Sequence, residues 1–378
     1  MSDEKSRRSF LQKLAALTAG GVVASQGGFA MNAKKEEDMP PVIKSVRALG
    51  FQWQTQDPFL FCVHHEDFFP EGNSEMGPEK SLLQGRNIGS DFLVKDGFRM
   101  YHGTSVPGFP GHPHRGFETV TVVREGYVDH SDSQGAAGRY GNGDVQWMTA
   151  GSGLQHAEMF PLIHPDKKNT MELFQIWLNL PRKDKMVDPH FKMLWAEQIP
   201  DIDHLDGAGK KTRIEVLAGA IGPNTAPSPP PNSWAAQPEH EVGIWNIRME
   251  PGAEYLLPAA GSGVNRTLYF YKGDELLVHD TTVPHYHAVD VQGDMALSIK
   301  AGEGKETRIL VLQGRPISEP VVQHGPFVMN TRQEVQQAYN DFQRTRFGGW
   351  PWNRIDPVHD RNLGRFARHA DGREEYPG

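Results

Sequence analysis

Gly111-His112-Pro113-His114-Arg115-Gly116-Phe117-Glu118-Thr119-Val120-Thr121-Val122-Val123-Arg124 reads as extended chain. Successive side chains of an extended chain point to opposite sides, so residues i and i+2 share a face. His112 and His114 therefore offer two imidazoles to one point, and Pro113, with its fixed φ, holds its neighbour extended. The β-branched run that follows ends at the turn Glu125-Gly126, as a strand does. Further on, Gly151-Ser-Gly-Leu-Gln-His156-Ala-Glu158 repeats the device, with His156 and Glu158 again at i and i+2.

Two such pairs on neighbouring strands supply three imidazole nitrogens and one carboxylate. That set suits one borderline divalent ion, Fe(II) first, better than Ca²⁺ or Mg²⁺, which take oxygen shells. An octahedral ion held by His112, His114, His156 and Glu158 keeps two positions open for O₂ or a chelating substrate. His285-Tyr286-His287 has the same spacing, but no His-x-Glu follows it, so these are expected to be structural or surface histidines.

Outward from this stretch the chain stays strand-rich. Val145-Gln-Trp-Met-Thr149 follows the turn Gly141-Asn-Gly143-Asp144, and Leu173-Phe-Gln-Ile-Trp-Leu-Asn-Leu180 closes at Pro181. The 40 Gly and 28 Pro suit many short strands with tight turns, in a barrel or a sandwich. At 378 residues the chain exceeds one ordinary core and is expected to form two domains. The proline-rich stretch 222–233 is a loop or linker near their junction, followed by a second strand-rich block. Thr331-Arg-Gln-Glu334 is a capping box. Val335, Ala338, Tyr339 and Phe342 then predict an amphipathic helix closed by Gly348, with Trp350-Pro-Trp352 laid on the body behind it.

The stretch from His112 to Thr121, Gly143-Asp-Val-Gln-Trp-Met-Thr-Ala-Gly151, His156-Ala-Glu158, Phe174-Gln-Ile-Trp-Leu-Asn-Leu-Pro181 with Lys185-Met186, and Gly325-Pro-Phe-Val-Met-Asn-Thr331 occur in this order. Together they resemble the signature blocks of the pirin family, in the cupin superfamily, over most of residues 43–347. The resemblance implies an all-β dominated fold of two cupin-type β-barrels with a C-terminal helix. The metal-binding barrel is expected at 42–200, a degenerate barrel without metal at 205–325, and the helix and tail at 326–378. It implies His112, His114, His156 and Glu158 as ligands, usually of iron, and Gln175 as a pocket residue close behind them. The general cupin pattern puts a ligand at the place of Glu118; in pirins Glu158 takes that role, so Glu118 is expected either to support the site from behind or to be structural.

Function is read in two ways. Several pirins resemble metal-dependent dioxygenases that open flavonols such as quercetin; Glu158 would then serve as ligand and catalytic base, with a small aromatic substrate. Other members act as metal-dependent partners of transcription factors or enzymes. Residues 6–13, Ser-Arg-Arg-Ser-Phe-Leu-Gln-Lys, resemble a twin-arginine export signal, followed by a Gly/Ala-rich run and a small-x-small site ending at Ala30. The expectation is a signal at 1–30 and a periplasmic protein; the alternatives are a solvated N-terminal helix and a cytoplasmic location, which would revive the regulatory reading. The net charge of −8, or −10 without residues 1–30, disfavours nucleic acid as a partner. No apolar stretch is long enough to span a membrane after processing. The single cysteine, Cys62, excludes a disulfide framework and a thiolate zinc site. Nucleophile-elbow, dinucleotide and phosphate-loop motifs are absent from the sequence.

Overall fold

The computed structural model describes residues 42–378, and the expected export signal at 1–30 lies outside the described residues. Two six-stranded sheets build the first barrel. One runs, in spatial order, His190–Leu194, Val145–Thr149, Phe117–Glu125, Asn169–Asn179, Phe59–Phe69 and Gln52–Trp53. The other runs Glu374–Glu375, Phe366–Arg368, Ala137–Gly141, Tyr127–Asp132, Leu154–Met159 and Gly108–His114. Val123, Met148 and Leu173 of the first pack on Val128, Tyr140 and Leu154 of the second. A seven-stranded and a four-stranded sheet form the second barrel in the same way, around an apolar core that includes Ile247, Phe270, Ile299 and Val311.

The barrels meet through a further cluster, in which Val120, Trp147, Phe174 and Ile176 pack on Ile244, Tyr269, Leu310 and Leu312. The six-stranded sheet of Phe117–Glu125 and Asn169–Asn179 is thus covered on both faces. Residues on both faces of these strands are accordingly buried, polar ones such as Glu118, Thr119 and Thr121 included.

Strand pairing departs from the expected boundaries at both ends. Ile43–Ala48 pairs with His287–Gln292 and belongs to the second barrel, not to a domain beginning at 42. Val42 and Ile43 pack into that barrel's core, and this burial draws the segment across. Asp201–Leu205 already pairs with Lys211–Ala218, so the second barrel begins before 205. The tail strand Phe366–Arg368 returns to pair with Ala137–Gly141 of the first barrel. Residues 222–233 follow Lys211–Ala218 in the second block and so do not link the barrels in sequence, although the end of this loop, Ser233, reaches their junction in space.

The helix Arg332–Thr345 matches its expected start. Thr331 Oγ1 accepts from Glu334 N at 3.2 Å, Glu334 Oε2 accepts from Asn330 N at 3.1 Å, and Val335, Ala338 and Phe342 are buried. It ends at left-handed Arg346 instead of Gly348. Trp352 Nε1 donates to the Asp132 carbonyl at 2.8 Å, fixing the tail on the first barrel.

Candidate metal centre

Gly108–His114 pairs antiparallel with Leu154–Met159 in a register that sets His112 opposite His156 and His114 opposite Leu154. The i, i+2 spacing brings His114 to the same face. The ring centroids lie 4.5 Å apart for His112 and His156, 4.7 Å for His112 and His114, and 5.0 Å for His114 and His156. One ligand atom from each ring lies within 4.8 Å of the others. Gly116 makes the turn out of this strand possible. It sits at φ 84°, and a Cβ there would lie 2.1 Å from the Val328 carbonyl oxygen. Buried Lys185 Nζ donates to the carbonyls of Gly116 and Val328 and to Asn179 Oδ1, tying the turn to the C-terminal block.

Burial favours the neutral imidazoles. It pushes His112 down to about 4, and His114 and His156 well below the ordinary range, with neighbouring histidines adding to the effect. A neutral ring keeps the lone pair that a metal requires. His112 Nδ1 donates to the Pro110 carbonyl at 3.0 Å, which leaves the lone pair on Nε2. His156 is fully buried, and neither of its ring nitrogens has a hydrogen-bond partner among the described residues. A buried polar ring without a partner is costly. A divalent cation among the three rings would satisfy one nitrogen of His156 and so lower that cost, and the donor set fits the metal expected from the sequence.

Glu158 stands at the edge of the triad, with Oε2 3.6 Å from His156 Nε2. Gln175 Nε2 donates to its Oε2 at 3.2 Å, and Thr121 Oγ1 lies 3.1 Å from its Oε1 and 2.5 Å from Gln175 Oε1, so its single proton is shared between the two oxygens. Burial raises its pKa, while His130, Thr121 and Gln175 act the other way; a bound cation would favour the carboxylate further. Gln175 is therefore in contact with the Glu158 carboxylate.

Glu118 is not. It is three residues from Thr121 on the same strand and so faces the opposite side, toward the junction of the barrels. There Thr149 Oγ1 donates to it at 2.6 Å and Ser233 Oγ, from the proline-rich loop, at 2.5 Å. Burial, with no cation beside it, pushes its carboxyl up to about 7. It does not support the metal site. His285 is exposed and His287 half-buried, both in the second barrel. Cys62 is fully buried between the barrels, and burial pushes its thiol up.

Sequence reading missed Thr121, His130 and the walls of the pocket. Register is what reveals the first two: Thr121 pairs with Gln175, and His130 with Glu158. The His130 ring lies 5.6 Å from that of His156, and its Nε2 is 3.3 Å from Asp132 Oδ2. His112, His114, Glu158, Thr121 and Gln175 line a cavity of about 100 Å³ whose remaining wall is largely aromatic: Phe51, Phe61, Phe92, Phe109, Phe160 and Trp177. A concave apolar site with a few convergent polar groups is the usual form of a small-molecule pocket.

The chain matches the Pirin family over residues 74–178, which hold all four candidate ligands, and the Pirin C-terminal cupin domain over residues 244–348. It is 37% identical over 241 residues to a Pseudomonas aeruginosa protein provisionally named as a quercetin 2,3-dioxygenase, covering 64% of this chain and 79% of that protein. It is 35% identical over 263 residues to Pirin of Homo sapiens, covering 68% of this chain and 82% of that protein. Among solved structures, quercetin 2,3-dioxygenase from Acinetobacter baumannii superposes with a TM-score of 0.64 at 27% identity, over 82% of this chain and 98% of that one.

Proposed function

The chain belongs to the pirin family, and from that premise we propose that it is an iron-dependent dioxygenase acting on quercetin-like flavonols or catechols. The observation that carries this reading is the buried, uncharged triad His112, His114 and His156, with Glu158 beside it, on an aromatic-walled pocket. The relatives named for quercetin cleavage support the substrate class.

His112, His114 and His156 would hold the ion, with Glu158 as the fourth ligand. Bound Fe(II) would supply a Lewis acid for the substrate's oxygens and a redox partner for O₂. The chain's own residues do the rest. Thr121 and Gln175 orient the Glu158 carboxylate toward the pocket, where it takes a proton from a substrate hydroxyl. The aromatic rings stack against a planar ligand and exclude water, which strengthens each polar contact inside. Gly116 and Lys185 hold the His-x-His strand in place, so that little reorganisation is needed on binding.

The test is anaerobic loading with iron followed by quercetin and O₂, with the consumption of both recorded. Metal-dependent loss of both at matched rates is expected, falling by at least about tenfold in Glu158→Gln. Stoichiometric iron with no turnover of any flavonol or catechol would replace this reading with that of a metal-dependent binding protein.

A further inference from the structure

The wall of the pocket away from the triad carries a polar group that the proposed reaction does not use. His65 follows Phe61 and Val63 on one face of Phe59–Phe69, opposite Leu173, and lines the same cavity. The Phe109 ring stands between the two ends, 6.0 Å from the His65 ring and 6.3 Å from that of His112. Phe51 packs edge-on against His65 at 6.0 Å. Around it the wall is carbon, yet His65 is only 4% exposed, so its imidazole is buried in an apolar surface.

Behind it runs a chain of buried partners. His65 Nδ1 lies 2.8 Å from Tyr101 Oη, Tyr101 Oη lies 2.5 Å from Asp67 Oδ2, and Arg99 holds both oxygens of Asp67, at 2.9 and 3.0 Å. Tyr101 reaches this position from a left-handed backbone, φ 57°, which a large side chain rarely adopts.

The proton positions follow from the partners. Burial raises the Asp67 carboxyl against the pull of Arg99, but Arg99 donates to both of its oxygens, so both accept and the Tyr101 hydroxyl donates to Asp67 as well. Tyr101 Oη must then accept from His65, which puts the imidazole proton on Nδ1. Burial, with the Arg99 charge, keeps this ring neutral. The lone pair therefore lies on Nε2, on the side of the ring that lines the cavity, and the ring's hydrogen bond among the described residues is the one through Nδ1.

We infer that His65 Nε2 accepts a hydrogen bond from a phenolic hydroxyl on the part of the substrate remote from the metal, so that His65 sets specificity for polyhydroxylated aromatics. The inference rests on the proposed aromatic-substrate reading and adds a second anchor to it. Tyr101 and Asp67 act through His65 as positioning residues, fixing its tautomer and its plane. A packing histidine would need no such chain and would not distinguish ligands by a distant hydroxyl.

The experiment is calorimetric titration of the anaerobic, iron-loaded protein with quercetin and with the parent flavonol, which keeps the chelating oxygens and lacks the other hydroxyls. His65→Phe should weaken quercetin binding by about tenfold and leave the parent flavonol unchanged, as expected for one lost hydrogen bond. His65→Gln, which retains an acceptor, should lose less, and Tyr101→Phe should weaken quercetin selectively. Iron content should match wild type in all three. Equal losses for both ligands, or no loss for quercetin, would overturn the role of His65 while leaving the proposed function intact. Failure of the wild-type protein to bind either flavonol would overturn both.

Discussion

Inside the first barrel, the strands Gly108–His114 and Leu154–Met159 turn three histidines and a glutamate inward. In the second barrel the interior holds Ile214, Trp245, Ile247, Leu268, Phe270, Val289, Ile309 and Val311. Both are closed by strands of similar length, so architecture does not make the difference; what is placed at the inward positions does. An apolar interior needs only shape complementarity and contributes burial energy throughout. Desolvated imidazoles cost free energy until something satisfies them. The second barrel acts as a stable support, packed against one sheet of the first. The first barrel gives up part of its apolar core to a set of metal-type donors.

The sharpest way to break this comparison is to remove a ligand. His114→Ala should abolish stoichiometric metal, weakening affinity by more than about a hundredfold. The protein should still unfold cooperatively, because the three apolar clusters of the two barrels and their junction do not include the triad. Elemental analysis alongside thermal unfolding checks both halves. Loss of the cooperative transition would mean that the metal holds the barrel together, as it does in small zinc domains.

How much of this was legible in the sequence depends on distance along the chain. His112 with His114, and His156 with Glu158, are local pairs, and the period of two in an extended chain was enough to find them. The capping box at Thr331 was readable for the same reason. Glu118 was expected either behind the metal site or as a structural residue, and parity decides for the second: a residue three places from Thr121 cannot share its face. Thr121, His130 and His65 depend on cross-strand register, and the exchange of Ile43–Ala48 depends on pairing with residues some 240 positions away. Neither is a property of any short window.

A second prediction concerns the junction between the barrels. Glu118 has its carboxyl raised from the ordinary 4.5 to about 7 in the folded protein. Between those values the folded chain keeps a proton that the unfolded chain has released, so stability falls as pH rises from 4.5 to about 7 and then levels off. Glu118→Gln should flatten this part of the profile, a change of up to about 3 kcal/mol at neutral pH, because an amide can still meet the hydroxyls of Thr149 and Ser233. Denaturant midpoints measured across this range test it. An unchanged slope would show that Glu118 is ionised in the fold. Metal content should not change, since Glu118 faces away from the triad.

The smallest effect is expected where the second barrel imitates the first. His285-Tyr286-His287 has the spacing of His112-Pro113-His114, so a reading by spacing alone predicts a second metal site. Register argues against it. His112 stands opposite His156, which leads to Glu158, whereas His287 stands opposite Phe270 on one side and Ala48 on the other. Among the described residues no second pair of ligands faces it. His287 Nδ1 meets the His285 carbonyl at 3.0 Å just as His112 Nδ1 meets that of Pro110, so the tautomer does not separate the two sites and the missing partners do; His285 lies edge-on to Phe270 with ring centroids 5.9 Å apart. Replacing both with alanine should leave metal content unchanged and shift stability by no more than about 0.5 kcal/mol, the usual range for surface positions. A fall in bound metal in this double variant would show that spacing without register suffices, and the contrast between the two barrels would fail at its most local point.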